Sequence, residues 1–434
     1  MKTRFQNATV LTMNHAGDIL HHAQVDVTDG IITEILQNAT EEAAVDRVID
    51  CREDVLMPGL INAHTHISMS LFRNFGNDVA LKSWLEDYIW PLEDRMQPED
   101  MVAGAKLSML EMLRSGTTTF VDMYMEEDAI AKAVEEIGMR AVLCPGFTDN
   151  SVQEERPAEV KRLMAYHHGA EDRIRVLLAP HAVYTCSPDT LRKVKALGDA
   201  LGVGFHIHVA ETRQEDEACR ARYGVSPTTL LHEAGLLGPT TILAHAVWLD
   251  ARDRDLIAES GATCVYNPVS NMKLASGFMP FMELVERGIP LAIGTDGASS
   301  NNTQDLFRDM MVGSLLQKGH TLDPTAASAH QMLYMATRGG AHAIGQEDAL
   351  GSIEVGKKAD LILVDFNNVR HTPRPEDVEA ALVYATSSAD VRLTMVDGHI
   401  LMQDGAFPNV DVEDIRQRAE ASRHALLQRK EAQA

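Results

Sequence analysis

The sequence has few cysteines, few aromatic residues and few positive charges, and each shortage excludes a class of protein. Its five cysteines are an odd number, lie far apart and include no C-x-x-C pair, so a disulfide framework is not expected. Lys and Arg number 39 against 63 Asp and Glu, and this net charge of −24 argues against a nucleic-acid or anionic-membrane partner. Aromatic residues make up only 5%, which also disfavours a base-stacking surface.

Long apolar runs are also missing. The sequence contains no stretch of about 18 consecutive apolar residues, so we expect no membrane span. The first residues, MKTRFQNATVLTMNHAGD, lack the apolar centre of a signal peptide. Together with the pattern of reduced thiols, these features predict a cytoplasmic location. The 434 residues, 45% of them apolar, are enough for a large barrel enzyme with an accessory domain.

Both ends of the chain are rich in β-forming residues. Asp-Gly pairs at 29–30 and 397–398 separate short apolar segments, which is typical of hairpins. We therefore predict a small composite β-sandwich domain formed by residues 1–57 and 351–410. The tail, 411–434, is predicted to be a charged amphipathic C-terminal helix without a chemical role.

Between these ends, apolar segments typical of buried parallel strands alternate with helical patterns. The strand-like segments are Gly59–Ala63, Thr117–Met123, Arg140–Pro145, Ile174–Ala179, Gly204–Val209, Thr240–Ala244, Thr263–Tyr266 and Pro290–Gly294. Eight such β/α units predict an α/β fold, a (β/α)8 TIM-type barrel over residues 58–350. The alternative, a doubly wound open sheet, is disfavoured because no G-x-G-x-x-G follows the first strand.

The connection between the first two strands is unusually long. Its excess, residues 68–98, carries Trp84, Tyr88 and Trp90. In a barrel such a connection lies at the C-terminal ends of the strands, where active sites form. We therefore predict that this segment covers the substrate. The alternative is a surface helix that packs its aromatic side chains onto the barrel.

Histidines occupy the ends of two predicted strands in H-x-H pairs. His64 and His66 end the first strand, and because alternate residues of a strand point to the same side, they can share one metal ion. His206 and His208 repeat the pattern in the fifth strand. His208 lies nearer the C-terminal end and is the predicted ligand, whereas His206 is expected to be a hydrogen-bonded interior histidine.

Further candidates end other strands. His245 ends the sixth strand, Asp296 follows the eighth, and Glu211 lies just past the fifth. Each alone could be structural, for instance a helix cap, but their recurrence at one end of successive strands predicts a single site. Three imidazoles and one carboxylate suit Zn²⁺, with Fe²⁺ as the alternative. His181, at the end of the fourth strand, is either a substrate contact or a loop histidine.

The fourth strand also bears on the number of metal ions. A two-metal version of such a barrel needs a bridging ligand there, often a modified lysine, and residues 173–181 contain no lysine. We therefore predict one Zn²⁺ per subunit. A bound metal of this kind would lower the pKa of a water molecule toward about 7.

Several motifs resemble those of the amidohydrolase superfamily, and the resemblance extends over essentially the whole chain. It is strongest to the branch of triazine hydrolases and 5′-methylthioadenosine/S-adenosylhomocysteine deaminases, with the deaminases the closer match. The motifs are PGLINAHTH (58–66), SGTTTFVDMY (115–124), APHAVYTCS (179–187), HIHVAET (206–212), LAHAVWL (243–249), NPVSNMKLASG (267–277) and IGTDGASSNN (293–302).

This resemblance implies a set of site residues. The implied metal ligands are His64, His66, His208 and Asp296, and the implied substrate contacts are Glu93, His181 and Glu211, with His245 beside the metal. Glu93 would accept hydrogen bonds from ribose hydroxyls. Some relatives place an arginine after the third strand, where this chain has none, and Arg156 is only a loose counterpart.

The resemblance also implies a reaction, the zinc-dependent hydrolytic deamination of an adenine nucleoside to its inosine analogue and ammonia. Candidate substrates are 5′-methylthioadenosine, S-adenosylhomocysteine and adenosine. Glu211 would protonate the ring nitrogen, Asp296 would carry a proton from water to the departing ammonia, and His245 would stabilise the attacking oxygen. The relatives further imply a homo-oligomer.

Two alternatives stay open. The first is an aminohydrolase or chlorohydrolase of another nitrogen heterocycle, such as a triazine, a pterin or a guanine-like ring, with the same metal site and a different pocket. The second is a non-catalytic ligand-binding barrel. The negative charge of the chain favours a neutral or zwitterionic nucleoside over a nucleotide phosphate.

Overall fold

The computed structural model describes residues 1–38, 44–152 and 155–432. The strands are β1 (Lys2–Leu11), β2 (Ile19–Thr28), β3 (Ile31–Gln37), β4 (Arg47–Asp50), β5 (Val55–Pro58), β6 (Leu60–His66), β7 (Thr117–Tyr124), β8 (Arg140–Phe147), β9 (Ile174–Val176), β10 (Ala179–Pro180), β11 (Phe205–Val209), β12 (Thr241–His245), β13 (Thr263–Tyr266), β14 (Leu291–Ile293), β15 (Asp296–Gly297), β16 (Leu361–Val364), β17 (Val391–Val396) and β18 (His399–Gln403).

The helices lie mainly between these strands. They are α1 (Leu81–Ser83), α2 (Trp90–Glu93), α3 (Pro98–Arg114), α4 (Glu127–Ile137), α5 (Glu155–Tyr166), α6 (Pro188–Leu201), α7 (Arg213–Tyr223), α8 (Pro227–Glu233), α9 (Ala251–Ser260), α10 (Pro268–Lys273), α11 (Phe281–Glu286), α12 (Leu306–Thr321), α13 (Ala329–Tyr334), α14 (Gly340–Ala343), α15 (Val378–Tyr384) and α16 (Val412–Glu431).

Two parallel sheets occupy the middle of the chain. One has the order β10-β8-β7-β6-β15, with β9 also paired to β8, and the other has the order β11-β12-β13-β14. All pairings within both sheets are parallel. Their strands are buried almost throughout, as strands covered by helices on one side and by packed side chains on the other must be. The predicted α/β fold with parallel strands is therefore confirmed.

The two parallel sheets touch at both margins. Leu178, between β9 and β10, forms a parallel bridge with Phe205 of β11. On the other side, the eighth predicted strand is β14, which pairs with β13 in one sheet, and the short β15 that follows it pairs with β6 in the other. The C-terminal ends of all these strands consequently face the same region, which is where the predicted site residues lie.

Strands from both ends of the chain form a third sheet. Its order is β18-β17-β16-β5-β1-β2-β3, with β4 beside β1. A separate apolar cluster lines it, with buried side chains from β1 and β2 against others from β16 and β17. The two Asp-Gly pairs form the predicted turns of the β2–β3 and β17–β18 hairpins. Residues 39–43, within the predicted 1–57 segment, lie outside the described residues.

The C-terminal helix packs onto the parallel-sheet region. In the predicted tail, α16 buries Ile415, Ala419 and Leu426. Near its end, Arg429 pairs with Asp100 of α3. Residues 433 and 434 lie outside the described residues. Among the helices that the structure describes, none combines the length and apolar character needed to cross a membrane.

The long connection after β6 is mostly helical. A short 3₁₀ segment, Ile67–Phe72, is followed by α1, a π-helical turn at Trp84–Ile89, and α2. Trp84, Ile89 and Leu92 are buried against the core, whereas Tyr88 is only partly covered. The segment therefore packs onto the parallel-sheet region and at the same time reaches the C-terminal ends of the strands.

Candidate active site

Three predicted ligands from two neighbouring strands converge at the C-terminal end of β6. The Nε2 atoms of His64 and His66 lie 3.5 Å and 3.2 Å from Oδ1 of Asp296 on β15. The register of the sheet places them there, because Asp296 pairs with Thr65, the residue between the two histidines. Their ligand atoms all lie within 4.8 Å of one another, close enough to hold one ion.

His208 joins this group from β11. Its Nδ1 donates to the carbonyl oxygen of His181 at 2.8 Å, and Nδ1 of His66 donates to the carbonyl oxygen of Met123 at 2.7 Å. Each histidine therefore directs its other ring nitrogen, Nε2, into the site, and these two nitrogens lie 3.2 Å apart. Two lone pairs at that distance repel each other unless a cation, either a proton or a metal ion, lies beside them.

His64 provides the second indication of a metal. Its ring is fully buried and its Nδ1 lies 3.0 Å from Nε2 of His206. Its Nε2 is a buried atom with no hydrogen-bond partner in the described structure. Histidines that bind metals through one nitrogen are usually held at the other in this way. His206 is, as predicted, a buried hydrogen-bonded histidine.

His245 closes the site from β12. It forms a second set of converging ligand atoms with His64 and His208. Its Nδ1 contacts Oδ1 of Asn271 at 2.9 Å, which leaves Nε2 facing the site, 3.8 Å from Oε2 of Glu211. Four imidazoles and one carboxylate thus fit a borderline divalent cation such as Zn²⁺.

Burial and mutual contacts separate the pKa values of these groups. Burial lowers the pKa of His64 to about 3, although Asp296 opposes the shift. Burial also disfavours protonation of His66, but the hydrogen bond and charge of Asp296 overcome it and raise the pKa of His66 to about 9. Burial opposes ionisation of Asp296, and the two histidines nevertheless keep its pKa well below the usual value. Asp296 is therefore an anion suited to a cation.

Glu211 is a buried carboxyl group beside the ligands. Burial raises its pKa, and the charge of His245 counteracts this only in part. Ser276 donates to its Oε1 at 2.9 Å. Glu215, in the first turn of α7, accepts the backbone N–H groups of Ala210 and Glu211 at 3.1 and 2.8 Å and so fixes the end of β11. Glu211 therefore binds a proton more tightly than an exposed glutamate does.

A cavity of about 710 Å³ opens above these residues. Its floor includes His66, His208 and Asp296, and its wall includes Trp84 and Trp90 from the long connection after β6. Its size falls within the usual range for small-molecule sites. This position supports the prediction that the connection covers the substrate, which stays a prediction, and the segment also buries Trp84 against the core, as the alternative expected.

Glu93 lines the same cavity from the end of α2. The hydroxyl of Tyr124, at the end of β7, donates to Oε1 of Glu93 at 2.7 Å. Burial raises the pKa of Glu93, while the Tyr124 hydrogen bond lowers it. One oxygen of Glu93 is therefore held by the protein, and the carboxyl group faces a cavity large enough for a ligand.

His181 and Arg156 also line the cavity. Nδ1 of His181 contacts the hydroxyl of Thr185 at 2.9 Å, and burial lowers its pKa to about 4, so it is neutral at pH 7. Arg156 pairs with the buried Glu159, one turn further along α5. The guanidinium is thus already engaged by an acidic group of the same helix.

Several residues at the strand ends of the site have a left-handed backbone conformation, with positive φ angles. Ala210, His245, Ala246 and Asp296 have φ values of 50°, 73°, 48° and 65°. Non-glycine residues in this region cost about 1–2 kcal/mol each, so the surrounding structure must hold them. Such residues concentrate where function, rather than stability, dictates the geometry.

Sequence reasoning missed the groups that hold the predicted residues in place. They are Tyr124, Ser270, Asn271, Glu215 and Ser276. Asn271 and the two serines lie in the NPVSNMKLASG motif, and Tyr124 ends the SGTTTFVDMY motif. The motifs were visible, but none of these polar side chains has a spacing that identifies its partner.

Comparison with known proteins places this site in context. Residues 55–401 match the model of the amidohydrolase family. The chain is 47% identical over 372 residues to a 5-methylthioadenosine/S-adenosylhomocysteine deaminase of Moorella thermoacetica, covering 85% of this chain and 87% of that protein. It is 44% identical over 429 residues to a 5′-deoxyadenosine deaminase of Methanosarcina mazei, with 98% of each covered.

A solved structure extends the likeness to three dimensions. An adenosine deaminase of Xanthomonas campestris, crystallised with bound zinc, is 33% identical and has a TM-score of 0.93. The match covers 98% of each chain.

Proposed function

The chain belongs to the amidohydrolase family, and on that premise we propose that its site deaminates adenine nucleosides by hydrolysis. The observation that carries the proposal is the position of Glu211, a buried carboxyl group with a raised pKa, beside four histidines and Asp296. A proton donor next to a metal-binding set is the combination that hydrolysis of a ring C–N bond requires.

We assign the metal to His64, His66, His208 and Asp296, with one Zn²⁺ per subunit and Fe²⁺ as the alternative. The support is the pair of facing Nε2 atoms of His66 and His208 and the unpartnered Nε2 of His64. A bound Zn²⁺ would supply a Lewis acid that makes a water molecule nucleophilic near neutral pH.

The side chains divide the proton transfers between them. Glu211 protonates the ring nitrogen next to the carbon that water attacks, because its raised pKa keeps a proton available in the buried site. Asp296, ionised before the reaction, takes the proton of the attacking water and is then briefly the protonated acid that delivers it to the amine, which leaves as ammonia. His245, with Nε2 facing the site, stabilises the oxygen as charge develops.

We assign the ribose to Glu93 and place His181 against the substrate. Tyr124 holds Glu93 through Oε1. The carboxyl group of Glu93 can accept hydrogen bonds from the ribose hydroxyls, and hydrogen bonds to a carboxylate are strong because the acceptor is charged. Glu93, Asp94 and Asp149 all line the cavity, and Arg156 is paired with Glu159. This charge favours the neutral 5′-methylthioadenosine, 5′-deoxyadenosine and adenosine, or zwitterionic S-adenosylhomocysteine, over nucleotides.

The finer architecture is also part of the proposal. We infer that the two parallel sheets close into a (β/α)8 barrel over residues 58–350, supported by the Leu178–Phe205 bridge and by the consecutive strands β14 and β15, which pair with β13 and β6 in different sheets. Residues 1–57 and 351–410 would form the composite β-sandwich domain, supported by their shared sheet and separate core. The cytoplasmic location and the homo-oligomer stay predictions.

A substrate panel tests the function. The metal-loaded chain is incubated with adenosine, 5′-deoxyadenosine, 5′-methylthioadenosine and S-adenosylhomocysteine, and ammonia release is measured together with metal content. We expect turnover of at least one nucleoside. Turnover of a triazine or pterin in place of every nucleoside would favour the alternative heterocycle hydrolase, and no turnover of any of these would favour a binding protein.

Glu93→Ala separates nucleosides from bare rings. The variant should sharply raise KM for a nucleoside and leave KM for a bare heterocycle unchanged, because only the nucleoside has ribose hydroxyls. Glu86→Ala is the matched control, since Glu86 lies in the same connection but is exposed. A nucleoside KM equal to that of the control would remove Glu93 from the ribose site.

A further inference from the structure

Residues 267–277, which follow β13 and include α10, contain none of the residues assigned above to metal or substrate. We call them the 267–277 segment. It lies under the strand ends that carry Glu211, His245 and Asp296, and most of its polar residues are buried, including Ser270, Asn271 and Ser276. Buried hydroxyl and amide groups need partners, and here the partners are side chains of the site.

One of these contacts is to Glu211. The Ser276 hydroxyl donates to Oε1 of Glu211 at 2.9 Å. The other oxygen, Oε2, is the one that faces Nε2 of His245 at 3.8 Å. As long as the Ser276 hydroxyl donates to Oε1, the proton of Glu211 lies on Oε2, on the side of the reacting atoms.

Ser276 is itself held from three sides. Its N–H donates to the carbonyl oxygen of Asn271 at 2.8 Å, and its own carbonyl oxygen accepts from Nε1 of Trp248 at 2.7 Å. The guanidinium of Arg213 stacks 4.5 Å from the centre of the Trp248 ring. The next residue is Gly277 at φ +129°, where a Cβ would lie 3.0 Å from a methyl carbon of Val247. The main chain of Ser276 is therefore fixed, which keeps its hydroxyl beside Glu211.

The same segment also contacts His245 and Asp296, the other two groups with proposed roles in proton transfer or charge stabilisation. Asn271 accepts from Nδ1 of His245 at 2.9 Å, which turns the other ring nitrogen, Nε2, toward the site. Ser270 donates to Oδ2 of Asp296 at 2.6 Å. Each contact leaves the opposite atom of its partner directed at the site.

We propose that the 267–277 segment is a positioning element for proton transfer, and that Ser276 is the residue that determines which oxygen of Glu211 carries the transferred proton. The proposal rests on the proposed function, because it assigns Glu211 as the proton donor. Ser276 touches no substrate and is a positioning residue. After Glu211 has released its proton, the same hydroxyl stabilises the carboxylate that remains, as hydrogen bonds to charged groups do.

Steady-state kinetics of the metal-loaded enzyme test this role. Ser276→Ala should lower kcat by about tenfold or more, the effect of losing a hydrogen bond to a charged group. KM and metal content should stay near the wild-type values, because substrate and metal contacts are intact. Ser276→Thr keeps the hydroxyl and should recover most of the lost kcat. Ser276→Cys, whose thiol is a weak donor, should give an intermediate kcat and serves if the alanine variant does not fold.

Ser314→Ala is the matched control. Ser314 is also a fully buried serine, but its hydroxyl donates to the carbonyl oxygen of Ala327 at 2.6 Å, on α12 and outside the cavity wall. Its loss should lower the melting temperature and leave kcat unchanged.

A kcat of Ser276→Ala within about twofold of wild type, or a loss of metal or rise in KM that accounts for its lower activity, overturns the proposal. If the wild-type chain deaminates no adenine nucleoside, the proposed function fails and this inference fails with it, whereas an active wild type with an unaffected Ser276→Ala refutes the inference alone.

Discussion

Glu211→Gln isolates the proton that Glu211 is proposed to donate. The substitution keeps the shape of the side chain, and the amide oxygen can still accept the Ser276 hydroxyl that lies 2.9 Å from Oε1. Glu211 is only 4% exposed, so water cannot replace the lost proton donor directly. Loss of general acid catalysis is worth about 100- to 10,000-fold, or about 3–5 kcal/mol of transition-state stabilisation, and we expect kcat to fall within that range.

The Glu211→Gln substitution should lower kcat but should not lower the stability of the fold. Because burial raises the pKa of Glu211, part of the cost of burying its charge disappears when a neutral amide takes its place. The melting temperature should therefore be equal to or above that of the wild type, and the metal content should be unchanged.

The assay follows ammonia release from the best nucleoside of the panel, with metal analysis and thermal melting of the same preparations. Glu217→Gln is the control, since Glu217 is an exposed glutamate of α7 and the chemical change is identical. It should have wild-type kcat. A Glu211→Gln variant that retains its metal and keeps kcat within about threefold of this control would refute the assignment of Glu211 as the acid.

Three further outcomes follow from the site. Removing the metal with a chelator should abolish turnover and lower the melting temperature, because the Nε2 atoms of His66 and His208 then face each other at 3.2 Å; zinc should restore both, and an enzyme indifferent to chelation would contradict the metal assignment. Tyr124→Phe removes the 2.7 Å hydrogen bond to Glu93, so nucleoside KM should rise by about five- to tenfold while kcat changes little; an unchanged KM would show that this contact does not prepare Glu93 for substrate. Burial raises the pKa of Glu215 from 4.5 to about 8, so its contribution to stability is largest at low pH and declines as pH rises between these values. The melting temperature of the wild type minus that of Glu215→Gln should therefore decrease from pH 5 to pH 8. If this value stays constant or increases, Glu215 is not protonated in the folded state.

The residues that the sequence could identify are those whose position follows from strand periodicity. His64 and His66 alternate on β6, His208 ends β11, and Asp296 pairs beside them on β15. Parallel strands bring their C-terminal ends to one side, so a ligand at each end predicts one site without any knowledge of the contacts. The same property of parallel strands predicted that the long connection after β6 lies at their C-terminal ends.

Strand boundaries were less well determined. The segment predicted as the eighth strand, Pro290–Gly294, corresponds to β14, and the separate short strand β15 follows it; the segment over Ile174–Ala179 breaks between β9 and β10. Apolar composition marks where a strand is buried, but the break depends on which neighbour each residue pairs with. The pairing of β15 with β6 is what places Asp296 beside His64 and His66.

The sequence by itself predicted the parallel α/β architecture and the candidate ligands at the strand ends, because apolar periodicity and residue chemistry are local properties. The final ligand set and the proton-donor role of Glu211 were implied by the resemblance of its motifs to the amidohydrolases. Only the tertiary structure decided how these groups are held. The hydroxyls of Tyr124, Ser270 and Ser276 reach partners far away in the chain, and Asp296 adopts a left-handed φ that only the surrounding contacts can maintain. Such contacts depend on distances between separate strands, and no spacing along one chain encodes them.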